Sequence, residues 1–194
     1  MNNLNGIVGS FALYNNGEKI TEFDYSEAKE INGSYILWNR KKVVLYDKET
    51  MTKKLEINDN IFTLFFKEKY FIVRFDDGKE EYDSKILTDA VYGYDGKVLI
   101  EPYKHTYICT YQEVIVAYSS SNENYIYGLD GKELIKPSCT FEEVYLSSKI
   151  GVIVKKDGKY GLYSFKGELL IPIKYDSYKE VSNLIISKLE KGEV

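Results

Sequence analysis

The chain has 194 residues, room for one domain or a single repeat array with a real core. Its formal net charge of −4 gives general nucleic-acid binding no electrostatic support. No run approaches the roughly 20 apolar residues of a membrane helix. The N-terminus also lacks a basic segment leading into an apolar one, so no secretory leader is expected and the predicted compartment is the cytoplasm. Of 26 basic residues only Arg40 and Arg74 are arginine; that bias, with abundant Ile, Asn and Tyr, suggests an AT-rich bacterial or phage coding sequence.

From the N-terminus, Phe11-Ala12-Leu13-Tyr14 leads into a turn at Asn15-Asn16-Gly17 and then Glu18-Lys19-Ile20-Thr21. Val43-Val44-Leu45-Tyr46 repeats the scheme with a turn at Asp47 to Thr50, followed by Lys53-Lys54-Leu55-Glu56-Ile57. Asn58 to Phe75 is an apolar stretch broken by Lys67-Glu68-Lys69 and reads as two strands of a hairpin. Residues 76–90 then insert six acids and two lysines, stretching the spacing from Thr50 to Gly96 to 46 residues. This acidic insertion is expected as a loop. Insertions in repeat proteins often project on the binding face, although a solvated surface loop is the simpler expectation.

Three units follow in clearer form. Tyr92-Gly93-Tyr94-Asp95-Gly96 runs into Lys97-Val98-Leu99-Ile100-Glu101-Pro102, and Tyr127-Gly128-Leu129-Asp130-Gly131 into Lys132-Glu133-Leu134-Ile135-Lys136-Pro137. Tyr160-Gly161-Leu162 leads to a turn at Gly167 and then Glu168-Leu169-Leu170-Ile171-Pro172. The turn glycines 96, 131 and 167 lie 35 and 36 residues apart, a period that signals stacked or radial repeats. Glycine supplies the positive φ of a tight two-residue hairpin turn, and Pro102, Pro137 and Pro172 are expected just past the third strand of their units, where a missing N–H costs little. β-Branched runs such as Val114-Ile115-Val116 and Val152-Ile153-Val154 suit pleated, half-buried strands.

The predicted fold is therefore all-β, with about five tandem antiparallel β-meander repeats of ~35 residues. The units are placed at about 1–32, 33–65, 66–107, 108–142 and 143–182. Residues 183–194 supply a strand that completes the first unit and closes a propeller-like ring, with an open β-spiral or solenoid as the alternative.

The run Lys155 to Asp176, KKDGKYGLYSFKGELLIPIKYD, resembles the WG-repeat family. That repeat has a Lys-Asp-Gly turn, Lys-Trp-Gly, a second glycine turn, Val-Val-Ile-Pro and Tyr-Asp; here Tyr160, Tyr127 and Tyr92 stand where the family usually has Trp. The resemblance covers residues 90–194. It implies a tandem β-repeat protein of a kind common in bacteria, without a general catalytic function.

Chemistry-bearing motifs are sparse. His105 is the single histidine. A nucleophilic arrangement could be built only on it, and no enzyme activity, cofactor or metal site is expected. Cys109 and Cys139 have no metal-ligand spacing and read as reduced, at least half-buried side chains. Tyr92, Tyr127 and Tyr160 are expected in the core. The partner-contact candidates are the acids of the insertion (Asp76, Asp77, Glu80, Glu81, Asp83) and the residues placed in connecting segments (Tyr103, His105, Tyr107, Tyr111, Tyr175, Tyr178).

The expected function is a non-catalytic module binding another protein, as a bacterial or phage-encoded inhibitor or effector, with no direct general nucleic-acid or membrane binding. One form of this is an acidic inhibitor of a nucleic-acid-handling defence enzyme. The alternative is a β-repeat protein that binds a small ligand, a glycan or a nucleotide.

Overall fold

Where two strands meet directly, Asn-Gly and Asp-Gly reverse the chain. Asn16–Gly17, Asn32–Gly33 and Asp157–Gly158 have positive φ at both positions (48° and 86°, 48° and 70°, 50° and 73°), the turn whose twist matches that of paired strands. A computed structural model describes residues 10–81, 84–105, 107–111, 114–119, 124–135, 142–146, 150–181 and 184–188. Among the described residues there is no helix, and hence none long and apolar enough to cross a membrane.

A ribbon of β1 (Tyr14–Asn15) and β2 (Glu18–Lys19) comes first. Then β3 (Glu27–Ile31), β4 (Ser34–Trp38), β5 (Lys42–Asp47) and β6 (Lys53–Asn58) form a four-stranded meander in chain order. A second meander contains β7 (Ile61–Phe66), β8 (Tyr70–Glu81), β9 (Ser84–Gly93) and β10 (Val98–His105). Next come the three strands β11 (Tyr107–Tyr111), β12 (Val114–Tyr118) and β13 (Asn124–Gly128). A third four-stranded meander consists of β14 (Glu143–Leu146), β15 (Val152–Lys156), β16 (Lys159–Tyr163) and β17 (Leu169–Tyr175). The hairpin of β18 (Ser177–Val181) and β19 (Leu184–Lys188) follows.

The chain divides into two compact units, 1–103 and 104–194. In the first, strand alternation buries both faces of the β3–β6 sheet. Ile36, Val43 and Leu45 join Ile61, Leu64, Phe71, Val73, Phe75 and Tyr92 of the β7–β10 sheet in one core, while Leu37 and Val44 face Tyr25, Phe11 and Leu13 on the other side. Rings run through the larger core: Trp38 to Phe66 (5.4 Å), Phe66 to Phe71 (6.4 Å) and Phe71 to Tyr92 (5.7 Å). In the second unit, Val114 and Ile126 of the three-stranded sheet pack with Val152 and Val154 of the β14–β17 sheet. Both units are thus meanders packed face to face.

Four sequence expectations are corrected. First, the acidic insertion is not a loop. Its residues continue β8 and β9 as a lengthened hairpin, in register from Tyr70↔Gly93 to Glu81↔Ser84, with an irregularity between Asp76 and Glu80. Asp76 and Asp77 lie at that bulge and accept N–H groups from Gly78 (3.1 Å) and Lys79 (2.9 Å). Second, the repeat-defining turns are not two-residue hairpins. Gly96 N–H bonds back to Gly93 C=O (3.0 Å) while Gly93 N–H reaches Lys97 C=O (2.9 Å), a four-residue turn ending in left-handed glycine. The same pair of bonds recurs at Gly128/Gly131/Lys132 and at Ser164/Gly167/Glu168.

Third, those bonds make Tyr163, not Tyr160, the counterpart of Tyr92 and Tyr127. Tyr92 and Tyr127 are 4% and 5% exposed, as core tyrosines should be, whereas Tyr160 is half-buried beneath Tyr178. Fourth, Pro102 and Pro172 do not follow the last strand of their sheets but lie inside it, in β10 and β17. Both are outer strands, where a missing donor is tolerated. Cys109 is half-buried, and burial pushes its thiol pKa up; Cys139 and Pro137 lie outside the described residues.

Glycine sets how closely successive sheets approach. A Cβ on Gly96 would stand 2.5 Å from the Lys54 carbonyl oxygen of β6, and one on Gly167 would stand 2.4 Å from that of Leu134. Each turn therefore rests directly on the backbone of the preceding sheet. A different arrangement ties β8 to β9, where Arg74 forks onto Asp89 (Nε–Oδ1 2.6 Å, Nη2–Oδ2 2.8 Å) and stacks over Phe65 at 5.0 Å, with Asp89 fully buried. Comparing Gly167→Ala (φ +83°) with Gly158→Ala (φ +73°, no atom within 4 Å) isolates the sheet-to-sheet contact. Both substitutions carry the left-handed strain of about 1–2 kcal/mol, and the Gly167 variant should lose at least about 1 kcal/mol more in urea unfolding.

Candidate binding cleft

In the second unit a cleft of about 640 Å³ opens between the end of β12 and the start of β14, lined by Tyr118, Ser119, Asn124, Glu142, Glu143, Val144 and Tyr145. The core shared by the two sheets fixes its walls. β12 is apolar from Val114 to Ala117 and reaches the surface only at Tyr118. Glu142 leads into β14, whose first residues are Glu143-Val144-Tyr145, and the entry is anchored by Glu142 N–H to Lys155 C=O (2.9 Å) and by the register Glu143↔Lys155.

Tyr118 and Tyr145 are each backed by another tyrosine. Tyr118 lies directly across from Tyr107 in the β11–β12 register, with ring centroids 5.9 Å apart. The Cys109 thiol points at the Tyr118 hydroxyl (3.8 Å), and burial first, then that thiol, pushes the Tyr118 phenol up to about 12. On the face of β14 away from the Val144 core contact, Tyr145 is 43% exposed, and its ring stands 6.1 Å from Tyr178, which meets Tyr160 edge-on at 5.1 Å.

The two glutamates differ. Glu143 receives Lys155 Nζ at 2.8 Å and the Tyr145 hydroxyl, which together hold its carboxyl below the ordinary range, Lys155 contributing most. The partners shift accordingly: Glu143 raises both the Lys155 ammonium and the Tyr145 phenol. Glu142 is exposed and accepts only a long bond from Gly158 N–H (3.3 Å), with no ion pair among the described residues. Lys155 thus serves both carboxylates, bonded to Glu143 and raised more weakly by Glu142, which stays exposed.

The sequence-predicted residues distribute as follows. Tyr107 and Tyr178 back the two walls. Tyr175 is half-buried at the end of β17 with Lys174 over its ring (5.5 Å), and Tyr103 and Tyr111 are strand residues of β10 and β11 rather than loop residues. His105 also belongs to a strand rather than a loop. It closes β10 at 1% exposure, its Nε2 3.0 Å from the Tyr127 hydroxyl and its ring edge-on to Tyr125 (4.9 Å), a packed position out of reach of a partner.

Asp76 lines a smaller cleft of about 430 Å³ in the first unit, with Arg40, Lys41, Asn60 and the exposed Phe62. The Asp77 side chain is 11% exposed, Glu80 and Glu81 end β8, and Asp83 lies outside the described residues. Sequence reasoning missed Tyr118, Glu142, Glu143 and Tyr145. The one available signal was the doublet Glu142-Glu143 beside alternating Val144-Tyr145, an acidic start to a short strand. Among the described residues, no three His, Cys, Asp or Glu side chains are grouped to hold a metal ion.

No family model matches the chain, and no curated protein matches it. Among solved structures it is similar to the computationally designed Ika8 protein (14% identity, TM-score 0.37, covering 93% of this chain and 62% of that one). It is also similar to a eukaryotic initiation factor (16%, 0.43, 86% and 50%) and to the WD40 beta propeller domain of Doa1 (10%, 0.33, 81% and 58%). The chain spans less than two thirds of each of these structures, and at such TM-scores none carries an argument.

Replacing Tyr145 with Phe should raise the Glu143 carboxyl pKa by removing the hydroxyl donor. Lys155→Met should raise it further, because Lys155 is the larger cause of the depression. Carboxyl carbon shifts followed against pH check both the direction and the order.

Proposed function

We propose that the protein is a non-catalytic interaction module that binds another protein through the tyrosine-walled cleft of its second unit. The observation that carries this reading is the combination of exposed Tyr107 and Tyr145 with the exposed Glu142, presented from sheet ends on a fixed β scaffold. Tyrosine offers contact area at low entropic cost, and rigid sheets limit the ordering that binding requires. The cleft's volume also falls within the range of small-ligand sites, which supports the glycan or nucleotide alternative.

The acidic hairpin supports an inhibitor role less well, since Asp76 and Asp77 are engaged with backbone N–H groups of their own bulge. An effector or inhibitor role acting through the cleft is the finer form of the proposal.

The test is affinity capture from a plausible host lysate, with nuclease, using the wild-type chain beside a Tyr107→Ala/Tyr145→Ala variant. A stoichiometric protein held by the wild type and lost at least about tenfold by the variant supports the reading. Capture of nothing, together with saturable binding of a glycan or nucleotide, would replace it with the small-ligand alternative.

The sequence pattern also motivates a proposal of ring closure by residues 183–194. Truncation after Val181 should then destabilise the first unit as well as the second. Loss confined to the second unit removes the proposal.

A further inference from the structure

We propose that the smaller cleft binds a nucleoside monophosphate, with Arg40 and Lys41 taking the phosphate and the Phe62 ring taking the base. The site lies wholly in the first unit, and it does not depend on what the cleft of the second unit binds.

The cations come first. Arg40 and Lys41 are both exposed, and neither side chain has an ion pair or hydrogen bond among the described residues. The next residue, Lys42, shows the ordinary alternative, bridged to Glu56 at 3.0 Å. The turn beneath them is pinned: Asn39 N–H donates to Lys42 C=O (2.9 Å) and Lys41 N–H to Asn39 Oδ1 (2.7 Å), while the Arg40 and Lys41 carbonyls accept the N–H groups of Ile61 (2.8 Å) and Asp59 (3.0 Å). An arriving anion therefore gains two cations on a fixed main chain without displacing a carboxylate. A phosphate monoester carries about −1.5 to −2 near pH 7, which these two cations balance. A longer phosphate chain would meet Asp76, which lines the same cleft.

The ring gives the ligand its second half. Phe62 is 53% exposed although Ile61 and Leu64 beside it are in the core. The register of β7 with β8 breaks between Ile61 and Thr63, and the extra residue at such a break leaves the alternation that would bury it. Every base has a face that stacks on an aromatic ring. Asn60 and Asp76, on the same lining, are groups that hydrogen-bond base edges and sugar hydroxyls. Inorganic phosphate would leave Phe62 in water.

The place is also one that the repeat makes twice. In both units a cleft opens where the turn between the second and third strands of one sheet meets the first strand of the next. That turn brings Arg40 and Lys41 in the first unit, and Ser119 and Asn124 line the corresponding cleft in the second.

The test titrates the full-length chain with adenosine 5′-monophosphate, adenosine and ribose 5-phosphate, reading affinity by calorimetry and the Phe62 ring by NMR. The monophosphate should bind saturably and move the Phe62 resonances, and adenosine and ribose 5-phosphate should each bind at least about tenfold more weakly. Arg40→Gln should weaken the monophosphate about five- to tenfold and Phe62→Leu at least about fivefold. Raising salt should weaken the monophosphate and leave adenosine little changed. The ligand comparison is made on the wild-type chain and decides the matter even if a variant folds poorly.

Ribose 5-phosphate or adenosine binding as tightly as the monophosphate, or an unchanged affinity in Arg40→Gln, would overturn the proposal. So would binding of a capped Gly-Glu-Gly peptide without the nucleotide, which would give the cleft to an acidic segment of a partner. Nucleotide binding lost in Tyr107→Ala/Tyr145→Ala but kept in Arg40→Gln would move the ligand to the second unit, overturning this site and supporting the small-ligand alternative there. The expected pattern, kept in Tyr107→Ala/Tyr145→Ala, supports the site whether or not a protein partner is captured.

Discussion

The contact on which the architecture depends is between main chains. The turn before the last strand of a sheet touches the carbonyl of the preceding sheet at a distance that leaves no room for a Cβ, at Gly96 on Lys54 and at Gly167 on Leu134. Side chains of many shapes can fill the space around such a contact, but its length cannot vary. The apolar residues of facing sheets then share a core: Leu45 and Phe71 lie in that of the first unit, Val114 and Val154 in that of the second. The glycine after Tyr92 and Tyr127 serves the same turn differently, since a Cβ there would meet the side chain of Asp95 (2.5 Å) or Asp130 (2.8 Å). Those aspartates are held in place by accepting the N–H of Lys97 and Lys132.

On this frame, charge is distributed unevenly. Several lysines lie beside a carboxylate at the surface, as Lys54 does with Asp47 and Lys42 with Glu56. Such pairs are screened and contribute little to stability. The exception in the first unit is Arg74, whose guanidinium allows Asp89 to be fully buried in a strand pair. In the second unit Glu142 is the contrasting case, an exposed carboxylate that accepts the Gly158 N–H and shares Lys155 with Glu143. A buried charge needs its partner in fixed geometry, whereas an exposed one is stabilised by water as well.

The fold was legible in the sequence where local chemistry dictates geometry. Val152-Ile153-Val154 and the pair Asp157-Gly158 leave the backbone little choice, and they form β15 and its hairpin. The hairpin of β7 and β8 was readable for the same reason, with Lys67-Glu68-Lys69 as the polar break in an apolar stretch. The equivalence of Tyr163 with Tyr92 was hidden because Tyr160-Gly161 imitates the motif three residues too early. Only the turn hydrogen bonds tell them apart. The acidic segment was misjudged because a run of charge reads as loop, yet Asp76 and Asp77 satisfy backbone donors and allow the strands to continue past them. Much of the cleft was illegible for a further reason: Tyr118 and Val144 come to line one cleft only when two sheets pack, and no spacing along the chain encodes that.

The chain has one tryptophan, Trp38, against 19 tyrosines. The indole belongs to the core of the first unit, in contact with Phe66, and the tyrosine pairs of the cleft belong to the second. The tyrosines divide almost evenly, nine in the first unit and ten in the second, so their absorbance reports both. Emission excited at the red edge belongs to the first unit alone, whose melting can therefore be followed without a label and subtracted from that of the whole.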